Sequence, residues 1–402
     1  MGHYKIYVYA ISKNESQFVD RWMDAVGEAD GVVVADTGSE DDTVRKLRAR
    51  GAAVYEETIE PWRFDTARNR ALNHVPADAD ICVSTDLDEV FVPGWRRQLE
   101  EAWNDGCTQA RCWFFWEEPA RTKFLYEKIH LRHGFRWVHP VHEVLEYSGD
   151  RAENVVFVDA MKLYHKPDPN KSRAQYLPLL ELSARENPHD VRTRFWLGRE
   201  YVFRALYDQG VETLTAYLAM PGAVWDVERS AAMRYIAAAY RGKKDQDSAL
   251  AWLFKAAAEC GDIREPWLDM ARLGYDTHNW PLALFAAHRG LAVTRIRDTY
   301  LTQADAWGYL LDDYAAIACY WLGFYDKGLG HAAKACALAP GDARLLNNLN
   351  MIEQKISSLS SKQPNNQTAN QPDNQSTKQP IDQTTDQPNN RSTDQPNNQS
   401  TK

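Results

Sequence analysis

Three carboxylates fall within four residues at Asp86-Leu87-Asp88-Glu89, directly after the apolar run Ile81-Cys82-Val83. An apolar strand that ends in clustered acids delivers negative charge to the carboxyl edge of a sheet, where open α/β folds bind ligands. Carboxylates this close repel one another and resist desolvation unless a cation lies among them. A hard divalent ion with a phosphorylated substrate accounts for such a cluster. Taken alone, the same four residues also suit a helix cap or a solvated turn, so the surrounding elements must decide. Arg63, Arg68 and Arg70 lie upstream and supply local positive charge for a diphosphate.

The elements that would position these groups alternate. Ile6 to Ala10 predicts a strand, and a polar loop from Ser12 to Ser16 opens a helix ending near Val26. Gly31 to Ala35 is almost wholly apolar, as strands buried between two layers of helices are. Asp36-Thr37-Gly38-Ser39 follows at once, with Asp36 placed to accept hydrogen bonds from a base or ribose and Gly38 permitting a tight turn. A helix from Val44 to Arg50, a strand at Ala52 to Tyr55, a helix from Phe64 to Asn73 and a strand at Ile81 to Ser84 complete a β-α-β-α-β-α-β unit. Neither the dinucleotide fingerprint G-x-G-x-x-G nor the phosphate loop G-x-x-x-x-G-K-[ST] occurs in the unit.

Beyond Glu89 the pattern becomes mixed. Strands are expected at Thr108 to Trp116, Phe124 to Leu131, Val155 to Val158 and Met161 to His165. His139-Pro140-Val141-His142-Glu143 is not the zinc-protease motif, which needs H-E-x-x-H on a helix.

Taken together, Ile11-Ser12-Lys13-Asn14-Glu15, Asp36-Thr37-Gly38-Ser39 with Asp42-Thr43, Trp62-Arg63-Phe64-Asp65 with Ala67-Arg68-Asn69, Asp86-Leu87-Asp88-Glu89 and Val141-His142-Glu143 resemble the inverting GT-A glycosyltransferases of family 2. More narrowly, the chain is similar to the bacterial subgroup with C-terminal tetratricopeptide-like helices that includes bacteriocin peptide S-glycosyltransferases. The likeness spans about residues 5 to 170. It implies a nucleotide-diphosphate sugar donor and Mn²⁺ or Mg²⁺ as cofactor. It implies that Glu15, Asp36, Arg68 and Asp86 bind the donor and that Asp88, His165 and Asp86 surround the metal. Leu87 stands where many relatives carry a small residue. The proton acceptor is Glu143 first and Glu89 second.

From about Asp190 the strand signal gives way to paired helices with a period near 34 residues, as in tetratricopeptide repeats. The pairs fall around Phe195 to Tyr201, Ala237 to Ala258, Trp267 to Ala283 and Ala316 to Pro340, with an insertion between Thr294 and Asp312. Such a stack offers a groove for a peptide or protein acceptor. The other reading is a structural extension that shields the first domain or forms a homodimer. From Ser361 the composition turns to Asn, Gln, Asp, Ser, Thr and Pro, which predicts a disordered tail.

The expected organisation is an α/β domain with a mixed sheet over residues 1–175, an all-α repeat domain over 176–356 and a tail over 357–402. The net charge of -9 argues against a nonspecific nucleic-acid binder. No run of 18 apolar residues occurs, the start is read as lacking a signal peptide, and six cysteines without a C-x-x-C pair suit reduced thiols, so a cytoplasmic protein is expected. The expected function is inverting transfer of a sugar to a peptide, protein or glycan acceptor. The alternatives are a non-catalytic scaffold or binding protein of the same fold, and a nucleotidyltransferase.

Overall fold

The computed structural model describes residues 4–116, 122–168 and 175–361. Strands β1 (Ile6–Ser12), β2 (Gly31–Asp36), β3 (Ala53–Glu56) and β4 (Ile81–Ser84) alternate with helices α1 (Val19–Val26), α2 (Thr43–Ala49) and α3 (Phe64–His74). Then come β5 (Glu89–Phe91), α4 (Trp95–Ala102), β6 (Gln109–Trp116), β7 (Thr122–Leu131), β8 (Phe135–Val138), β9 (Val144–Tyr147) and β10 (Val155–His165). Eight strands form one mixed sheet in the order β3-β2-β1-β4-β7-β6-β10-β5, and β8 pairs with β9 separately.

The period of two along β1 builds both faces of this sheet. Ile6, Val8 and Ala10 pack with Trp22, Trp95 and Leu99 on one side. Tyr9 joins Val33, Ala35, Ala71, Leu72 and Trp137 on the other. In α1 the buried Val19, Trp22, Met23 and Val26 recur at helical spacing, so a single stripe faces the sheet. β1, β2, β3 and β4 run parallel, and the order reverses between β1 and β4. β6 and β10 are mutually parallel, while β7 is antiparallel to β4 and β6, and β5 to β10. The carboxyl ends of β1, β2, β4, β6 and β10 therefore share one edge with the start of β5.

Five elements of the sheet region depart from the expected list, the unforeseen pair β8 and β9 among them. The segments expected as separate strands at 155–158 and 161–165 form the single strand β10, irregular in register between Val158 and Lys162. β5 is only three residues long and is defined by its pairing with β10, not by local pattern. α4 presents Trp95 and Leu99, four residues apart, to the core.

The helical part opens with α5 (Tyr176–Glu186). Helix pairs follow: α6 (Val191–Phe203) with α7 (Tyr207–Leu218), α8 (Asp226–Gly242) with α9 (Gln246–Glu259), α10 (Glu265–Asp276) with α11 (Trp280–Leu291), and α12 (Leu310–Trp321) with α13 (Tyr325–Leu338). Asp190, Asp245 and Asn279 cap α6, α9 and α11 by accepting from the backbone N–H three residues on. Small residues set the spacing within pairs: a Cβ on Gly274 would stand 2.6 Å from the backbone nitrogen of Ala283. The pairs are tetratricopeptide-like, and the insertion before α12 carries a 3₁₀ turn at Ala304–Trp307. α14 (Ala343–Ser360) continues through residues 357–360, which the expected boundary placed in the tail, and ends where the composition turns at Ser361. Residues 362–402, expected to be disordered, lie outside the described residues. Among the described residues no helix is long and apolar enough to cross a membrane.

Candidate functional site

Asp36, Ser12 and the Asp86–Glu89 turn meet at the carboxyl edge of the parallel strands. The buried Asp36 accepts from Ser12 Oγ at 2.8 Å, Gly38 N at 3.1 Å, Ser39 N at 2.8 Å and Ser39 Oγ at 2.5 Å. Its carboxylate thus holds the turn that follows β2, with Gly38 in the left-handed region at φ 97°. Glu15 is buried beside this turn, and its backbone N–H donates to Thr43 Oγ1 at 2.7 Å.

Arg68 ties α3 to the acidic turn and to the loop between β8 and β9. The guanidinium is buried; Nη2 donates to Asp86 Oδ1 at 2.8 Å and Nε donates to Glu143 Oε1. It also lies over the Trp137 ring, 5.0 Å from the centroid. Burial alone would lower the Arg68 pKa, but the Asp86 and Glu143 carboxylates outweigh it and raise it well above the usual value.

Glu89 is enclosed. Its Oε2 accepts from Tyr126 Oη at 2.7 Å and from the Asp86 backbone N–H at 2.9 Å. Lys128 Nζ lies 3.9 Å from Glu89 Oε1 and 3.6 Å from Asp86 Oδ2. Burial, opposed by Lys128 and reinforced by the charges of Asp86 and Asp88, pushes the Glu89 carboxyl up to about 7. Tyr126 and Lys128 are not among the motif residues; an irregular register between β6 and β7 puts Tyr126 on the same face as Ile129, while His130 meets Tyr9 on the opposite face.

On the other side of the turn, β5 pairs His165 directly with Glu89, which carries the imidazole to Asp88. His165 Nε2 stands 3.3 Å from Asp88 Oδ2, with both side chains about nine-tenths buried at 12% and 11% exposure. His165 Nδ1 is buried and has no hydrogen-bond partner. An oxygen and a nitrogen bound to one ion at about 2.0–2.2 Å each stand roughly 3 Å apart, so this pair fits a divalent cation. Asp86 does not fit the same ion, because its two oxygens face Arg68 and Lys128.

Asp86, Asp88 and His165 do not converge as a set. The one group of three whose ligand atoms lie within 4.8 Å of one another, among the described residues, is Asp226, Cys260 and Asp262. Arg297 already neutralises that group: its Nη1 reaches Asp226 at 2.7 Å, Cys260 Sγ at 3.2 Å and Asp262 at 3.3 Å.

The loop that carries Glu143 is fixed by the helical part. His139 and His142 adopt left-handed conformations at φ 75° and 51°, which cost a side-chain-bearing residue about 1 kcal/mol or more each. Contacts hold them there. Phe64 N donates to Pro140 O at 3.0 Å, Val141 packs with Leu179, Leu180 and Leu197, and Arg192 donates to His142 O at 3.3 Å. The His142 ring stacks on Trp196 of α6.

From Trp196 a row of cations and aromatics runs into the helical part. Arg199 lies 4.8 Å from the Trp196 ring centroid and 4.5 Å from that of Phe203, and its Nε donates to Tyr235 Oη at 3.1 Å. Phe203 and Tyr235 line a cavity of about 340 Å³ together with Arg234, Arg241, Arg272 and Asp269.

No family model matches the chain. Among solved structures it is similar to "MamA MSR-1 C2", at 15% identity and TM-score 0.32, covering 44% of this chain and 92% of that one. It is similar to TTC0263, a thermophilic TPR protein of Thermus thermophilus, at 20% identity and TM-score 0.30, covering 44% and 89%. It is also similar to the APC/C hetero-tetramer Cut9-Hcn1, at 10% identity and TM-score 0.35, covering 46% and 33%. These findings correct the resemblance read from the motifs. With no matching family model, and with tetratricopeptide-repeat proteins rather than sugar transferases as neighbours, the chain is not placed among the family 2 glycosyltransferases. It is a mixed α/β protein with a tetratricopeptide-like helical part.

Proposed function

We propose that the chain transfers a sugar from a nucleoside-diphosphate donor to a polypeptide or glycan acceptor. The observation that supports this reading is Asp86, held by Arg68 and Lys128 where the chain leaves β4 at the switch beside β1, with the Asp88–His165 pair two residues on at the β5–β10 end of the same sheet edge. Asp88 and His165 would hold Mn²⁺ or Mg²⁺. Such an ion, when bound, stabilises charge on the departing diphosphate. Arg68 fixes the direction of Asp86, and Lys128 adds positive charge beside it. Asp86, with 37% of its side chain exposed, is the acidic group of the turn that reaches the cleft.

The acceptor approaches along the row from Arg199 toward Trp196 and His142. Glu143 follows His142 in that loop and is assigned the acceptor's proton. Glu89, enclosed by Tyr126 and Lys128, is assigned to positioning the turn.

The second reading is a binding protein without turnover. It is favoured by the double ion pair of Arg68, which occupies both Glu143 and Asp86 as purely structural networks also do. A panel of nucleotide sugars with Mn²⁺, read as nucleoside diphosphate release, separates the two. Metal-dependent release that is lost in Asp88→Ala supports transfer. No release with any donor, and no donor binding by calorimetry, overturns it in favour of the binding protein.

A further inference from the structure

Outside this site, two histidines from different helix pairs bring their ring nitrogens together. His288 on α11 and His331 on α13 face each other with Nε2 atoms 3.2 Å apart and ring centroids 5.2 Å apart. His331 Nδ1 lies 2.7 Å from Asp312 Oδ1 on α12, and the Asp312 side chain is only 7% exposed. An ionised carboxylate is only an acceptor, so Asp312 keeps the His331 proton on Nδ1 and leaves the Nε2 lone pair directed at His288. A carboxylate on the far nitrogen is how proteins orient an imidazole that binds metal.

The distance suits a shared ion as well as a hydrogen bond. Two nitrogens bound at about 2.0–2.1 Å to one tetrahedral ion stand roughly 3.3–3.4 Å apart. The observed separation agrees within the tolerance of such sites, about 0.2 Å. We propose that His288 and His331 bind a single imidazole-preferring divalent ion of the zinc class, with Asp312 orienting His331 and the remaining positions open to water. The ion would join α11 to α13 across α12 and fasten the last two helix pairs to each other. The alternative is a plain hydrogen bond from one ring to the other. This site shares no residue with the one at Asp88 and does not depend on the reading of that site.

The test uses the full chain, freed of metal by chelation and dialysis, with Zn²⁺ followed by calorimetry and Co²⁺ by visible absorption. The wild-type chain is expected to bind one equivalent more than the His288→Gln/His331→Gln double variant. Zn²⁺ should raise its unfolding midpoint, and that rise should vanish in His331→Gln. Asp312→Asn should weaken the site about 10- to 100-fold. Asp88→Ala should leave this equivalent in place. Because a variant can disturb packing, a second measurement needs none: substoichiometric Cu²⁺ should broaden the ring-proton resonances of His288 and His331 in the wild-type chain. Equal stoichiometry in the wild type and the double variant, or broadening that spares both rings, overturns the proposal.

Discussion

The imidazole of His142 lies flat on the indole of Trp196, ring centroids 4.3 Å apart and planes 17° from parallel. The two residues belong to different parts of the chain, and their contact decides where Glu143 can be. Trp196→Ala removes the surface on which a left-handed histidine rests. Hydrogen exchange at residues 141–143 should accelerate, and stability should fall by about 1–3 kcal/mol. Asp88→Ala, read in the same experiment, should leave exchange in that loop unchanged.

Arg68 is the cation that both Asp86 and Glu143 face. Arg68→Ala leaves the largely buried Glu143 without its cation, while Asp86 keeps Lys128 and partial solvent, and the expected loss is about 3–5 kcal/mol in denaturant unfolding. Arg68→Ala and Glu143→Gln should be strongly non-additive in a double-mutant cycle. Additive losses would show that the pair contributes nothing as a pair.

His130 predicts a pH dependence. Its Nε2 accepts from Tyr9 Oη at 2.8 Å, its Nδ1 donates to Leu131 O at 2.6 Å, and Tyr9 Oη accepts from Trp137 Nε1 at 2.8 Å. The ring is therefore satisfied as a neutral group, and burial, opposed by the Leu131 hydrogen bond and aided by Arg132, drives its pKa from 6.5 down to about 4. The unfolded chain then binds the extra proton. Stability from this residue is fully present above pH 6.5 and is lost as the pH falls from 6.5 to about 4, by about 3 kcal/mol in all. Urea midpoints at pH 7 and pH 4.5 should separate less in His130→Gln than in the wild type.

Two helical glycines should respond oppositely to alanine. Gly274→Ala places a Cβ 2.6 Å from the Ala283 backbone and should destabilise by about 1–3 kcal/mol. At Gly330 on α13 a Cβ meets nothing within 4 Å, and Gly330→Ala should stabilise by up to about 1 kcal/mol through helix propensity. Thermal unfolding of both variants checks the pair.

These contrasts show which features could be read in the sequence. The Asp86–Glu89 turn was legible because an apolar strand running into acids is a local signal. The union of His165 with Asp88 follows from the pairing of β5 with β10, two strands far apart in the chain, and was reached only through a resemblance that the comparisons do not sustain. The engagement of Asp36 by Ser12 and Ser39 was not legible, since a strand-end aspartate has the same pattern whether it serves its own turn or a ligand. Lys128 was not legible, because the irregular register opposite Ala110 and Cys112 of β6 breaks the alternation of β7 between Tyr126 and Ile129. Helix pairs were legible from small residues at close approaches. The insertion was legible only as a break in the period, not as a link to β7.

That link has a mechanical consequence. Thr122 Oγ1 donates to Thr302 O at 3.3 Å, and Lys123 Nζ lies 3.3 Å from Asp298, so the insertion grips the start of β7 while α5 and α6 grip the loop at Val141. Two separated grips remove the single axis about which two halves would swing. Any change of length then has to come from within the stack of helix pairs, each yielding slightly against the next as the coils of a spring do, with the sheet edge held still at one end.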